Sequence, residues 1–326
     1  VAPFQNLSAL NVFLITLTLM VGTAGLPHVI IRFYTVPKAS DARWSAGWAL
    51  VFIGLLYTTA PAVAVFSKYN LLNTLANKPV EEVRQIDWVQ KWEQTGLLKL
   101  QDKNGDGILQ MSANPDVNEV TIDRDIIVLS TPEVAKLSPF IVGLVAAGGL
   151  AAALSTAAGL LIVIASAISH DLYTRLINPG ASEATKLLIA RVVIFLVVVL
   201  AAPFGINPPA FIAQLVAFAF GLAASTFFPA ILLGIFDRRM NMQGAVAGMI
   251  VGLVFTASYI IGTKYLGWPN FILGITAEGI GAIGMLLNFV VAYLVSRATP
   301  PPPEEIQHLV DEIRIPKGSA GSALEH

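Results

Sequence analysis

Long apolar runs dominate this sequence, and their lengths predict its secondary-structure elements. A bilayer core about 30 Å thick needs roughly 20 apolar residues per helix, and runs of about this length recur along the sequence. Shorter polar or charged segments separate them, so each run is predicted to be one membrane-spanning helix. The pattern predicts seven transmembrane helices, over residues 9–31, 45–66, 139–169, 187–205, 210–235, 244–262 and 274–296.

Basic residues concentrate near alternate ends of these helices. The residues concerned are Arg32, Lys38, Arg43, Arg175, Lys186, Arg191, Arg238, Arg239 and Arg297. The intervening short links carry almost no basic charge, with Lys264 alone between the sixth and seventh helices. Because basic residues mark the cytoplasmic ends of membrane helices, the pattern predicts that residues 67–138 are external and that the C-terminus is cytoplasmic.

This orientation divides the chain into four segments. Residues 1–66 hold the first two transmembrane helices, 67–138 form an external loop or cap, 139–298 hold five transmembrane helices, and 299–326 form a cytoplasmic tail. The prolines after Thr299 end the last helix because proline has no N–H to donate. The sequence EEIQHLVDEIRI that follows them predicts a short amphipathic helix on the cytoplasmic surface.

The external segment contains a possible calcium loop. In the sequence DKNGDG, Asp102, Asn104 and Asp106 match the first ligands of such a loop, and Gly107 is placed for its sharp turn. The twelfth position is Ala113 instead of the bidentate Glu, so a solvated turn rich in Asp and Asn is the alternative. Further along, the alternation in VTIDRDIIVLS predicts strands of a small hairpin or cap.

Composition supports a membrane protein and narrows the chemistry. Hydrophobic residues make up 55% of the chain and charged residues only 13%, against roughly 25% charged residues in soluble domains. The absence of cysteine excludes disulfides, thiolate metal sites and cysteine nucleophiles. No nucleophile, base and orienting group occur at usable spacing, and no nucleic-acid motif is present. We therefore expect neither an enzyme nor a nucleic-acid partner.

The third apolar run contains two adjacent hydroxyl residues. Ala152, Ser155 and Thr156 stand at i, i+3 and i+4, which places them on one helical face. Two hydroxyl oxygens and a carbonyl oxygen there could bind a small monovalent cation, with further ligands from another helix. Alternatively, each hydroxyl donates to a carbonyl one turn earlier, or the small residues simply permit close helix packing.

Two motifs resemble those of the sodium:solute symporter family. The sequence LAAALSTAAGLLIVIASAISHDLY, from Leu150 to Tyr173, resembles the family's eighth core helix, and GTAGLPHVIIRFYT, from Gly22 to Thr35, resembles its sixth. This resemblance implies that Ala152, Ser155 and Thr156 bind Na⁺. In the second motif, it implies that Thr23, Gly25 and His28 are candidates for the substrate-facing side of a helix, and Gly25 with Pro27 predicts a break there.

The resemblance also implies a fold. We expect an all-α membrane protein that comprises the second inverted repeat of a leucine-transporter-type (5+5 helix) fold plus two peripheral helices. The first repeat, in an N-terminal half of the same transporter, would then be the partner that completes the sodium site. The long insertion before the third helix resembles a bacterial branch related to carriers of acetate and other short monocarboxylates. This resemblance implies an inner-membrane location.

The expected function is sodium-coupled secondary transport of a small organic solute through the lipid bilayer, with Na⁺ as the coupling ion and Ca²⁺ only as a weaker possibility at the DKNGDG loop. The alternative is a symporter-like sensor module that reports solute binding without transporting the solute. Fewer than thirty residues follow Arg297, the basic residue at the end of the last predicted membrane helix. A tail of that length is too short for a kinase domain, which argues against the sensor.

Overall fold

The computed structural model describes residues 7–34 and 36–313, which are mostly helical. Six of the described helices are long and apolar enough to cross a membrane, and a seventh apolar helix is shorter. The elements are α1 (Ala9–Gly25), α2 (Pro27–Ile30), α3 (Ala39–Leu75), α4 (Val80–Arg84), α5 (Asp87–Thr95), β1 (Leu98–Leu100), β2 (Val120–Ile122), α6 (Ile127–Val134), α7 (Pro139–Ser166), α8 (Glu183–Ile206), α9 (Ile212–Phe236), α10 (Met242–Tyr265), α11 (Gly281–Ala298) and α12 (Glu304–Glu312).

The described residues form two compact units, 7–34 with 200–313 and 36–199. In the first unit, α9 packs against α1, α10 and α11. Glycines bring these helices close together: a Cβ on Gly22 would overlap the Phe220 carbonyl. Buried polar side chains add hydrogen bonds, among them Asn11, whose Nδ2 donates to the Gly274 carbonyl at 2.9 Å and whose Oδ1 accepts from the Thr276 amide at 2.8 Å.

The first predicted span is two helices. Ser8 caps α1 by accepting from the Asn11 amide, and α1 ends at Gly25 after 17 residues. Leu26 is extended, with φ −77° and ψ 116°, and Pro27 then begins α2. The break therefore lies where Gly25 and Pro27 predict it, because proline fits the first position of a new helix but not the middle of an old one.

The second unit combines membrane helices with the cap. The cap has its own hydrophobic core, which includes Leu75, Val83, Val89, Leu98 and Leu109. Helix α6 connects this core to α3 and α7, the membrane helices that precede and follow the cap in sequence. The Thr131 hydroxyl hydrogen-bonds that of Ser67 in α3, and the Leu129 side chain packs on Gly149 of α7.

The predicted strands are confirmed only in part. Strand β2 pairs antiparallel with β1, with Leu98 opposite Ile122. The continuation of the same β-branched run is not a strand, because Ile127–Val134 forms α6. Packing of α6 on α3 and α7 outweighs the local strand preference, which is a weak determinant of structure.

The tail helix α12 contacts the C-terminal end of α9. Its Asp311 carboxylate accepts from the Arg238 Nε at 3.1 Å, and Val310 is buried. Asn241 caps α10 through Oδ1, which accepts from the Gly244 amide at 2.9 Å, while its Nδ2 donates to the Pro300 carbonyl at 2.8 Å. The tandem prolines are thus held against the start of α10.

Candidate functional site

Helix α7 carries the candidate sodium ligands. The Ser155 Oγ donates to the Ala152 carbonyl at 3.3 Å, and the Thr156 Oγ1 donates to the same carbonyl at 3.1 Å. All three residues are exposed within this chain. The spacing therefore places both hydroxyls on one face, as predicted, and the hydroxyls adopt the alternative that the sequence leaves open, bonding back to their own helix.

These hydrogen bonds determine which oxygen lone pairs remain available to a cation. A hydroxyl has one proton and two lone pairs, so donation to Ala152 leaves the lone pairs of Ser155 and Thr156 available to a cation. The Ala152 carbonyl itself accepts from both hydroxyls, in addition to its helical partner. Its use as a third ligand would therefore require at least one hydroxyl to rotate. All three residues stay predicted Na⁺ ligands.

Beyond Ser166, the helix continues as a stretch of π-helix, Ala167–Ile177. The Thr174 Oγ1 donates to the Ser169 carbonyl, five residues earlier, at 2.8 Å. His170 Nδ1 lies 3.0 Å from the Asp171 carboxylate, and the Arg175 Nε lies 3.9 Å from it. Segments of π-helix are rare and often occur at functional sites, and this one begins eleven residues after Thr156.

The second group of candidates lies at the end of α1. The Thr23 Oγ1 donates to the Leu19 carbonyl at 2.8 Å, and the side chain is exposed. Gly25 is buried, and a Cβ there would lie 2.6 Å from the Ala223 carbonyl oxygen of α9. His28 is partly exposed in α2, with its Nδ1 buried and without a hydrogen-bond partner. A solute-facing role for these residues remains a prediction.

The DKNGDG loop uses its polar side chains to hold its own backbone. The Asp102 carboxylate accepts from the amides of Gly105 and Gly107 at 2.7 and 2.9 Å, and the Asp106 Oδ1 accepts from the Ile108 amide at 2.8 Å. The hydrogen bonds from the Ile108 amide and from the Asn104 and Gln110 side chains lower the pKa of Asp106 below its ordinary value. Across residues 7–34 and 36–313, no three His, Cys, Asp or Glu side chains converge on one point, but the predicted calcium ligands include the amide of Asn104. The calcium loop and the solvated turn therefore both stay predictions.

Several buried polar residues lie outside the sequence motifs described above. Glu119 is 2% exposed and its carboxylate accepts from the amides of Lys103 and Gln110 at 2.8 and 2.9 Å, which closes the loop of the cap. Asn288 is fully buried in α11 and bonds to α9. For Asn288 a sequence signal exists, since a lone amide in an apolar span is expensive unless it is paired. No comparable sequence signal predicts that Glu119 is buried.

Comparison with known proteins places these residues in a family. Residues 111–252, which include the hydroxyl pair of α7, match the sodium:solute symporter family. The chain is 41% identical over 313 residues to an uncharacterised symporter of Cupriavidus necator, covering 94% of this chain and 45% of that protein. It is 31% identical over 252 residues to a monocarboxylic acid transporter of Corynebacterium glutamicum, covering 74% of this chain and 36% of that protein.

The chain thus spans less than half of the length of these two relatives. Its long apolar helices agree with a multi-pass membrane protein, and the matched family consists of transporters, not of enzymes. The similarity extends on both sides of the matched residues, since it covers 94% of the chain. From the α7 motif, the helical fold and these matches together, the chain belongs to the sodium:solute symporter family.

Proposed function

We propose that this chain is the C-terminal half of a sodium-coupled carrier that moves a small organic solute across a bacterial inner membrane. Three findings support the proposal: the family match over residues 111–252, the length of its relatives and the apolar helices. In this proposal the helices of the chain form the second inverted repeat and two peripheral helices, and the remaining half of the carrier supplies the first repeat.

The sodium site is supported by the common face of the Ser155 and Thr156 hydroxyls on α7, together with the match to the sodium:solute symporter family. Because the Ser155 and Thr156 hydroxyls both donate to the Ala152 carbonyl, their lone pairs point away from that carbonyl on the same face. Uncharged oxygens suit a monovalent ion that must bind and then leave. Two oxygens are too few for Na⁺, so we propose that the other half of the carrier supplies further ligands.

The proposed solute is a short monocarboxylate such as acetate. Similarity to the monocarboxylic acid transporter supports this class. A tenfold Na⁺ gradient contributes about 1.4 kcal/mol, and a membrane potential of 100 mV contributes about 2.3 kcal/mol per net charge. One Na⁺ carried with one monocarboxylate moves no net charge, so only the Na⁺ gradient would drive accumulation. Strong accumulation would therefore require a second coupling ion.

The test is Ser155→Ala combined with Thr156→Ala in the full-length carrier. Two lost ligand oxygens should raise the Na⁺ concentration for half-maximal uptake about tenfold or more, since a hydrogen bond or contact to a charge contributes about 1.5–3 kcal/mol. Acetate uptake measured against Na⁺ concentration, at matched membrane expression, gives this value. The monocarboxylate proposal itself fails if a panel of acetate, propionate, lactate and pyruvate shows no sodium-dependent uptake by the unmodified carrier.

A matched control exists in α3. Thr58 and Thr59 are also adjacent and exposed, and their hydroxyls donate to carbonyls of their own helix, including Gly54 and Leu55. The double substitution Thr58→Ala with Thr59→Ala should leave the Na⁺ requirement unchanged. Equal shifts in both double variants, or no shift in either, would show that the α7 hydroxyls have no special part in binding Na⁺.

A further inference from the structure

Helix α9 contains a carbonyl that its own helix cannot satisfy. Pro229 stands within α9, and proline has no N–H. The carbonyl four residues earlier, that of Ser225, therefore lacks its helical donor. Ser225 is fully buried, and an unpaired buried carbonyl in an apolar bundle is costly.

Asn288 of α11 supplies the missing donor. Its Nδ2 donates to the Ser225 carbonyl at 2.8 Å and to the Thr226 carbonyl at 3.0 Å, and the residue is 0% exposed. Both partners are acceptors, which identifies the nitrogen as the amide atom that faces α9. A single side chain thus uses both of its N–H groups at the proline interruption.

Glycines of α10 make this contact possible. A Cβ on Gly248 would overlap the Asn288 Oδ1, and a Cβ on Gly252 would overlap the Ser225 carbonyl oxygen. Helix α10 therefore passes directly beside both the donor and its acceptor. The three helices close around the interruption and leave the amide little freedom to rotate.

The same part of α9 contacts the end of α1. A Cβ on Gly25 would lie 2.6 Å from the Ala223 carbonyl oxygen and 3.1 Å from the Phe228 nitrogen. These two contact points lie on either side of Ser225 and Thr226 in sequence. Any shift of the α9 backbone between Ala223 and Phe228 would therefore displace the surface that the α1 break contacts.

From these contacts we infer that Asn288 is a positioning residue: it fixes the backbone of α9 before Pro229 and thereby positions the α1–α2 break at Gly25. The effect on solute binding rests on the proposed function, in which Thr23, Gly25 and His28 face the solute. The effect on α9 does not, because it follows from the hydrogen bonds alone.

A double-mutant cycle in the full-length carrier tests this inference. Asn288→Ala should increase hydrogen exchange of the amides in 220–228. It should also raise the solute concentration for half-maximal uptake about tenfold or more, since one lost buried hydrogen bond corresponds to about tenfold and Asn288 makes two. Pro229→Ala restores the N–H at position 229, so the Ser225 carbonyl no longer needs Asn288. Adding Pro229→Ala to Asn288→Ala should return most of the exchange protection and of the solute affinity.

Asn11→Ala is the matched control. Asn11 is also a buried asparagine of this bundle, but it bonds to the 274–276 segment, so Pro229→Ala should not rescue it. If Asn288→Ala does not fold, Asn288→Ser, whose hydroxyl can donate one hydrogen bond, takes its place. Additive effects of Asn288→Ala and Pro229→Ala on hydrogen exchange would overturn the inference. Rescue of exchange without sodium-dependent uptake in any variant would instead refute the proposed function.

Discussion

At the scale of single residues, glycines decide how closely the helices around α9 approach one another. Gly252→Ala should destabilise the protein by about 1–3 kcal/mol, because the added Cβ would overlap the Ser225 carbonyl oxygen and overpacking of a tight contact costs about this much. The apparent melting temperature of the detergent-purified protein measures the change.

Gly234→Ala is the control for this substitution. Gly234 lies in α9, and a Cβ there would have no atom within 4 Å. Alanine favours helix over glycine, so this variant should melt at the same temperature as the unmodified protein or slightly higher. A Gly252→Ala protein as stable as Gly234→Ala would show that α9 and α10 are not in close contact at this point.

Residue spacing could predict the common face of Ser155 and Thr156 because the helical period is fixed. It could not predict where the hydroxyl protons point, since donation to Ala152 and donation elsewhere fit the same sequence. The pairing of Asn288 with the carbonyl freed by Pro229 was also beyond the sequence, although each residue is visible in an apolar run. That pairing depends on how α9 packs against α11, and α10 separates these two helices in sequence.

At the scale of elements, a charged cluster joins the ends of α9 and α10 to the segment before α11. The Glu278 carboxylate accepts from the Gln214 Nε2 and lies 2.9 Å from the Lys264 Nζ. Burial by itself would raise the pKa of Glu278, but the hydrogen bonds from Gln214 and Lys264 outweigh burial and hold this pKa below its ordinary value of 4.5. The ionised carboxylate therefore stabilises the fold.

The pH dependence follows from this direction. Because the folded pKa of Glu278 is lower than the unfolded pKa, its contribution is fully present above about pH 4.5 and is lost as the pH falls through the folded pKa. Glu278→Gln should lower the melting temperature at pH 7 and flatten its decline in acid. Melting curves from pH 3 to 7 test this, with Glu305→Gln on the exposed side of α12 as control. Parallel pH profiles of Glu278→Gln and the unmodified protein would contradict the prediction.

The positions of the elements were predictable to the extent that the bilayer dictates them. Apolar run length located the cores of α7, α8, α9, α10 and α11, because each must cross the same thickness. Helix ends were less predictable: α3 continues to Leu75 and the α7 segment continues to Ile177, since polar residues can extend a helix outside the apolar layer. The prediction of a strand at Ile127 was wrong because α6 packs on two membrane helices.

At the scale of the whole molecule, the number of crossings constrains the topology. Five of the long apolar helices, α7 to α11, separate the cap from α12. We predict that all five cross the membrane, and an odd number of crossings would then put the cap and α12 on opposite sides of it. The basic residues near the tail, including Arg238 and Arg297, predict that α12 is on the cytoplasmic side.

The absence of cysteine from this chain makes the topology directly measurable. Lys99→Cys in β1 and Glu305→Cys in α12 each introduce an exposed thiol. In intact cells, a membrane-impermeant maleimide should label Lys99→Cys, whereas Glu305→Cys should react only after permeabilisation, and the unsubstituted protein measures background labelling. Labelling of both positions from outside would require an even number of crossings between them, so one of the helices α7 to α11 would not span. Exclusive labelling of Glu305→Cys would keep all five crossings and reverse the orientation, which would mean that the basic helix ends are external.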